Sequence, residues 1–285
     1  MAEVVAGTLV HTRAGTITHG ERSAGARLRA GARVLRPGAL VIAGLTLVYA
    51  ALTVAVLTGS PLVALDTAAL RWSVEAHDPV LYSVLWDWVL LGQRAVVLAI
   101  AVLWLGVRAV RHRDVRPLIT LGVATLLLNV TVGLAKTVVG RVGPLQLGPA
   151  ALHPSSATLF SDGTIFPSGH TANAVVTWGL LALLARSRRR LLSGIAVFLA
   201  VTVGLSTIYL GTHWVSDVLA GWVAGALVLL AMPALTPVVD RLERLAVRLL
   251  PLLRGRPVAP GAPAARMPSW TRSRPSVPAR SAHRA

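Results

Sequence analysis

The chain has 285 residues, 54% of them hydrophobic and 14% charged, with mean hydropathy +0.67. Soluble domains carry about 25% charged residues, so this composition excludes a disordered chain and argues against an ordinary soluble enzyme. Net charge is +17, carried by 27 arginines and one lysine, Lys136, and the absence of cysteine excludes disulfides and thiolate metal clusters.

In chain order, the apolar runs predict six membrane-crossing helices: Ala39 to Thr58, Val89 to Val107, Leu118 to Val139, Ser168 to Ala185, Leu191 to Leu210 and Asp217 to Leu235. Each approaches the ~20 residues needed to cross the hydrocarbon layer as a helix. The stretch from Pro61 to Asp78 mixes Asp66, Arg71, Trp72 and Glu75 with Leu and Val, and reads as an interfacial helix. The expected fold class is therefore all-α, a polytopic membrane protein. Residues 1–38 form a basic tail and 39–240 the six-helix membrane domain. Residues 241–285 form a second basic tail rich in Pro, Ala and Arg, disordered from about residue 254. The first 38 residues lack the apolar core of a signal peptide.

Of the 28 basic residues, 24 fall in the two tails and in the loops Arg108 to Arg116 and Arg186 to Arg190. The positive-inside rule then places both termini in the cytoplasm, as an even number of crossings requires. Such a distribution marks cytoplasmic loops of a multi-pass cell-membrane protein, and nucleic acid is not an expected partner.

The opposite, extracytoplasmic side gathers polar residues from three separate segments. Lys136 stands near the outer end of the third predicted span, ahead of Gly140-Arg141-Val142-Gly143-Pro144. Pro167-Ser168-Gly169-His170 opens the fourth, with Pro167 expected at the first helical position. His213 and Asp217 lie four residues apart, a spacing that one helical face would bring together. Free amides at a helix start favour an anion, and Gly169 permits close approach to the backbone. An Asp that fixes one imidazole nitrogen leaves the other free as a nucleophile. Singly, each feature is commonplace. A lysine at a span end is usually an anchor in the headgroup region, Pro-Ser-Gly is usually a cap, and His-x-x-x-Asp recurs by chance. Their conjunction at one membrane face is what points to phosphate chemistry.

These residues resemble the three-part signature of the type 2 phosphatidic acid phosphatase, or lipid phosphate phosphatase, family: a Lys, six residues, Arg-Pro; Pro-Ser-Gly-His; and Ser-Arg, five residues, His, three residues, Asp. Here the first part is Lys136 and Pro144, the second is complete, and the third is Ser206, His213 and Asp217. The resemblance implies His213 as the nucleophile forming a phosphohistidine, Asp217 as its orienting partner and His170 as the acid on the leaving group. It implies that Lys136, Ser168 and the Gly169 backbone hold the phosphoryl oxygens, with no metal and no cofactor. The implied substrate is a lipid phosphate or polyprenyl pyrophosphate drawn from the membrane lipid, hydrolysed at the outer face.

Two signature arginines are missing. Gly143 stands before Pro144 and Thr207 follows Ser206. Losing a charge-assisted hydrogen bond costs about 1.5–3 kcal/mol, so a substitute clamp is expected. Arg141 is the first candidate and Arg94, at the outer end of the second predicted span, the next. The competing readings are a phosphotransferase that passes the phosphoryl group to an alcohol, and a catalytically silent lipid-phosphate-binding protein on the same scaffold. The spans argue against a soluble haloperoxidase with similar site geometry.

Overall fold

In the computed structural model, residues 37–153 and 159–249 are described. The expectations for residues 1–36 and 250–285, including the disordered tail, lie outside them. Among the described residues every regular element is a helix: α1 (Pro37–Leu57), α2 (Pro61–Glu75), α3 (Pro79–Val89), α4 (Arg94–His112), α5 (Arg116–Val139), α6 (Gly169–Leu184), α7 (Arg189–Tyr209), α8 (Val215–Ala231) and α9 (Thr236–Leu249), with short 3-10 turns and one helical turn at Pro144–Leu147 between them. The chain is an all-α membrane protein. Five helical stretches are long and apolar enough to cross a bilayer: Gly38–Leu57, Arg94–His112, Arg116–Leu152, Arg189–Tyr209 and Val215–Leu249. Their outer faces carry exposed Leu47, Leu103, Val110, Leu126 and Leu134, as lipid-facing surfaces should.

The sixth expected span, α6, has 16 residues and is enclosed by α4, α5, α7 and α8. Ala172, Val176 and Leu180 on α6 meet Leu105 of α4, Leu121, Ala124 and Leu128 of α5, and Val228 of α8 in the main core. Small residues let these helices approach closely. At Gly221 of α8, a Cβ would lie 2.7 Å from the Ser168 carbonyl oxygen, so only glycine allows the start of α6 to sit there.

Three expectations change in detail. The second span begins at Arg94 rather than Val89, because the 3-10 turn Leu90–Gly92 ends one helix and Gln93 caps the next. The residues before it form α3, which was not foreseen. Its start is set by the Asp78 carboxylate accepting from the Leu81 amide and by Pro79 at the first turn. Finally, α2 ends at Glu75 and is more than an interfacial helix, for Asp66, Thr67 and Ser73 are buried against the bundle. Residue 240 falls inside α9, so 241–249 continue as helix, tied to α5 where Arg116 meets Asp240 and Glu243 at 2.6 and 2.7 Å.

Candidate active site

Serine is a favoured N-cap, and Ser168 caps α6. Its hydroxyl accepts from the Thr171 amide at 3.4 Å and the Thr171 hydroxyl at 2.9 Å. Pro167 therefore precedes the cap instead of opening the helix, and the Phe166–Pro167 peptide is cis. The Ser168 amide donates to the Asp217 carbonyl at 2.9 Å, which binds this loop to the start of α8. Gly169 and His170 occupy the first two helical positions, where amides have no acceptor within the helix.

His213 is not on a helix. It lies in the bend between α7 and α8, one residue before Trp214, the residue that caps α8. Its proximity to Asp217 comes from that turn. Asp217 Oδ2 accepts from the Trp214 amide at 3.0 Å, and His213 Nδ1 lies 3.6 Å from the same oxygen. That separation is an ion-pair distance and too long for a hydrogen bond, and Nδ1 has no other partner among the described residues. The rings of His170 and His213 stand 5.8 Å apart between centroids, tilted by 70°. Two segments 43 positions apart thus present paired imidazoles.

Arg141 is placed otherwise than the sequence reading expected of a phosphate clamp. Its Nη1 donates to Asp217 Oδ1 and to the Ser216 hydroxyl, each at 2.6 Å, and Nη2 to Asp66 Oδ2 at 2.7 Å. Asp66 also accepts from the Ser216 amide at 2.8 Å and the Ser216 hydroxyl at 2.6 Å. Arg141 is 3% exposed, Asp66 1% and Asp217 0%, and the guanidinium lies 5.3 Å from the centre of the Trp214 ring. Burial pushes the Asp66 carboxyl up from its ordinary value, while Arg141 and Ser216 pull it down. Sequence reasoning noticed Asp66 but gave it no place in the site. An acid inside an otherwise apolar Ala-Leu-Asp-Thr-Ala-Ala-Leu run was the available signal.

On the other side of the histidines stand cations. The Lys136 ammonium donates to the Thr164 carbonyl and lies against Gly169, whose Cβ position would be 3.9 Å from Nζ. Gln93 Oε1 sits 2.8 Å from His170 Nε2, a contact the sequence reading missed. Arg94 follows directly at the start of α4, exposed, its charge acting on Lys136. Lys136, Ser168, Gly169, His170, His213 and Asp217 are thus brought together, with Arg141 behind Asp217. The two positions that lack arginine are enclosed: a Cβ at Gly143 would meet Ile165 Cγ1 at 2.8 Å, and Thr207 is fully buried with its hydroxyl on the Gly204 carbonyl.

Comparison with known proteins gives a consistent picture. The sequence model of the PAP2 superfamily matches residues 117–240. The chain is 34% identical over 84 residues to phosphatidylglycerophosphatase B of Bacillus subtilis, covering 27% of this chain and 41% of that protein. It is 31% identical over 109 residues to an undecaprenyl-diphosphatase of Sulfolobus acidocaldarius, covering 38% and 50%. The matches thus span half or less of these two relatives. A crystal structure of a transmembrane PAP2-type phosphatidylglycerolphosphate phosphatase from Bacillus subtilis superposes with a TM-score of 0.55 at 25% identity, covering 69% of this chain and 96% of that one.

Proposed function

Starting from the match of residues 117–240 to the PAP2 superfamily, we propose that the chain is an integral-membrane phosphatase of that family, acting on a lipid phosphate or polyprenyl pyrophosphate through a phosphohistidine at His213. The observation that carries this reading is the apposition of His170 and His213, with Asp217 behind one and Lys136 beside the other. The relatives' names, a phosphatidylglycerophosphatase and an undecaprenyl-diphosphatase, support the substrate class.

His213 Nδ1 faces Asp217, so Nε2 is the nitrogen that attacks phosphorus. The bond to the lipid oxygen breaks, and His170 delivers a proton to the departing alcohol or phosphate. Water, deprotonated by His170, then attacks the phosphohistidine and releases inorganic phosphate, restoring both rings. Two buried carboxylates share the single Arg141 guanidinium, which leaves one net negative charge beside His213. That excess favours the cationic imidazole formed on phosphorylation. The 3.6 Å separation tightens once Nδ1 carries a charged ring, as catalytic contacts do when loaded. On the phosphoryl side, Lys136, the Ser168 hydroxyl proton and the Gly169 and His170 amides meet the developing negative charge, so the step is proposed to need no metal.

In the membrane, α6 serves as the sixth crossing, shielded by its neighbours. Both tails are cytoplasmic and the histidines face outward. A reporter fused after residue 253 should be active only in the cytoplasm; activity outside would overturn the topology. The chemistry is tested by phosphate release in detergent, with chelator, from phosphatidic acid, phosphatidylglycerol phosphate and polyprenyl pyrophosphate. His213→Ala should abolish release and phosphoenzyme labelling, and activity within about tenfold of the parent would rule the mechanism out. Transfer to an added alcohol without release identifies a phosphotransferase, and binding without turnover identifies a silent scaffold.

A further inference from the structure

The signature arginines at positions 143 and 207 are absent, and Arg141 is taken by two carboxylates, so the guanidinium contact on phosphate must come from elsewhere or be missing. Neither vacant position has room for a long side chain without displacing its neighbours, Ile165 in one case and the buried surroundings of Thr207 in the other. The corner formed by Gly92, Gln93 and Arg94 supplies a different source. It is pressed against the start of α6: a Cβ at Gly92 would lie 2.7 Å from the His170 carbonyl oxygen, and the Gln93 amide reaches the His170 ring. Trp178 Nε1 donates to the Leu91 carbonyl at 2.8 Å and fixes the same turn one step earlier. Arg94 therefore starts α4 one residue after the side chain that holds the imidazole proposed as the acid.

The charges around it have an unusual feature. Lys136 feels Asp217 as an attracting charge and, less strongly, Arg94 as a repelling one, and acts in turn on His170. No carboxylate among the described residues forms an ion pair with either cation, and no hydrogen bond to the Arg94 guanidinium is found there. Like charges that act on one another raise each other's energy, and an anion placed between them relieves it. A guanidinium offers a planar fork that matches two phosphoryl oxygens, which an ammonium does not.

We propose that Arg94 grips the phosphoryl group of the substrate, replacing from α4 the clamp that the family signature places at positions 143 and 207. The inference rests on the site assigned above, and its ligand class is a phosphate monoester or diphosphate headgroup. The substitution of one helix for another leaves the attacking and protonating histidines unchanged. It moves one cation from the His213 side of the site to the His170 side, beside the leaving group.

The test uses the full-length protein in detergent with two readouts, turnover of the lipid panel and calorimetric binding of inorganic phosphate. Arg94→Ala should lower kcat/KM by about 100-fold and weaken phosphate binding at least tenfold. Arg94→Lys should recover part of each loss. Millimolar guanidinium chloride, set against sodium chloride at equal ionic strength, should restore part of the Arg94→Ala rate, which a structural role for Arg94 would not allow. Arg94→Gln serves in the same comparison should the alanine variant fail to accumulate. Turnover and phosphate binding within about threefold of the parent in Arg94→Ala would overturn the proposal. Should the parent release no phosphate from any substrate, the phosphatase reading fails. Phosphate binding then decides alone: loss on Arg94→Ala sustains the clamp, while equal binding, or none by the parent, refutes it.

Discussion

The two flanks of His213 are built on opposite electrostatic plans. Toward Asp217, every charge is buried and ion-paired: Asp66, Arg141 and Asp217 form a chain with contacts of 2.6 to 2.7 Å, joined by Ser216. Toward His170, Lys136 and Arg94 share a region with no carboxylate pairing to either, and the bonds present are to a carbonyl and an amide. A buried network of this kind resists change and sets geometry, since both Arg141 Nη groups and the carboxylates they meet are paired inside the protein. Cations that form no ion pair with a neighbouring carboxylate can take up an anion from outside. In the proposed mechanism the first flank orients the nucleophile and the second receives phosphate. Substitutions on the two flanks should accordingly be felt in different measurements.

The largest effect on folding is expected at Arg141. Arg141→Met leaves Asp66 and Asp217 buried without a countercharge, and breaking a buried pair in this way costs about 3–5 kcal/mol. That is a large fraction of a protein's total stability, so the variant should melt far below the parent in detergent, or fail to accumulate. Asp66→Asn in the Arg141→Met background removes one of the orphaned charges and should return part of the loss. A melting temperature unchanged by Arg141→Met would show that the network does not hold the fold, and the contrast between flanks would collapse.

Lys136 should behave in the opposite way. Lys136→Met removes a partly buried charge that forms no ion pair among the described residues, so thermal stability should stay level or rise. Losing one positioned donor to a developing oxyanion typically costs 10²–10³ in rate, about 2.7–4 kcal/mol. Phosphate release should therefore fall by about that factor while the melting curve holds. Destabilisation comparable to that of Arg141→Met would show that Lys136 serves the fold and not the ligand.

The candidate site residues could be picked out in the sequence because each lies in a short segment whose spacing is local. Pro167 to His170, and His213 with Asp217, needed no knowledge of how helices pack. The long apolar helices were legible for a similar reason, since lipid demands a run of about 20 apolar residues whatever the neighbours are. What escaped was long-range. Arg141 read as a free cation because its partner Asp66 lies 75 positions earlier, on a helix whose composition suggested only the membrane surface. Gln93 escaped because a neutral amide carries no charge signal, and its contact with His170 spans 77 positions. The break at Leu90–Gly92 also escaped, because long apolar runs flank the short polar Gly92-Gln93-Arg94 on both sides. In contrast, α3 had a readable start in Asp78-Pro79, a capping acid followed by a first-turn proline.

The smallest effect, and the sharpest test of how the open flank works, is expected at Gln93. Its amide touches no phosphate in the proposed mechanism; it holds the His170 ring by one hydrogen bond of 2.8 Å. Removing a single neutral hydrogen bond costs about 0.5–1.5 kcal/mol, so Gln93→Leu should slow turnover by about two- to tenfold. Because Gln93 acts through the proton donor, the loss should not be uniform across substrates. It should be greatest for esters whose leaving alcohol most needs a proton and nearly absent for an activated aryl phosphate. KM should change little, since the cations that bind phosphate are untouched. Gln93→Glu preserves an acceptor oxygen and should keep most of the rate. An equal loss on all leaving groups would mean that Gln93 merely seats the turn before α4. A large rise in KM would instead move it among the groups that contact the substrate, and the division between orienting and receiving flanks would have to be redrawn around it.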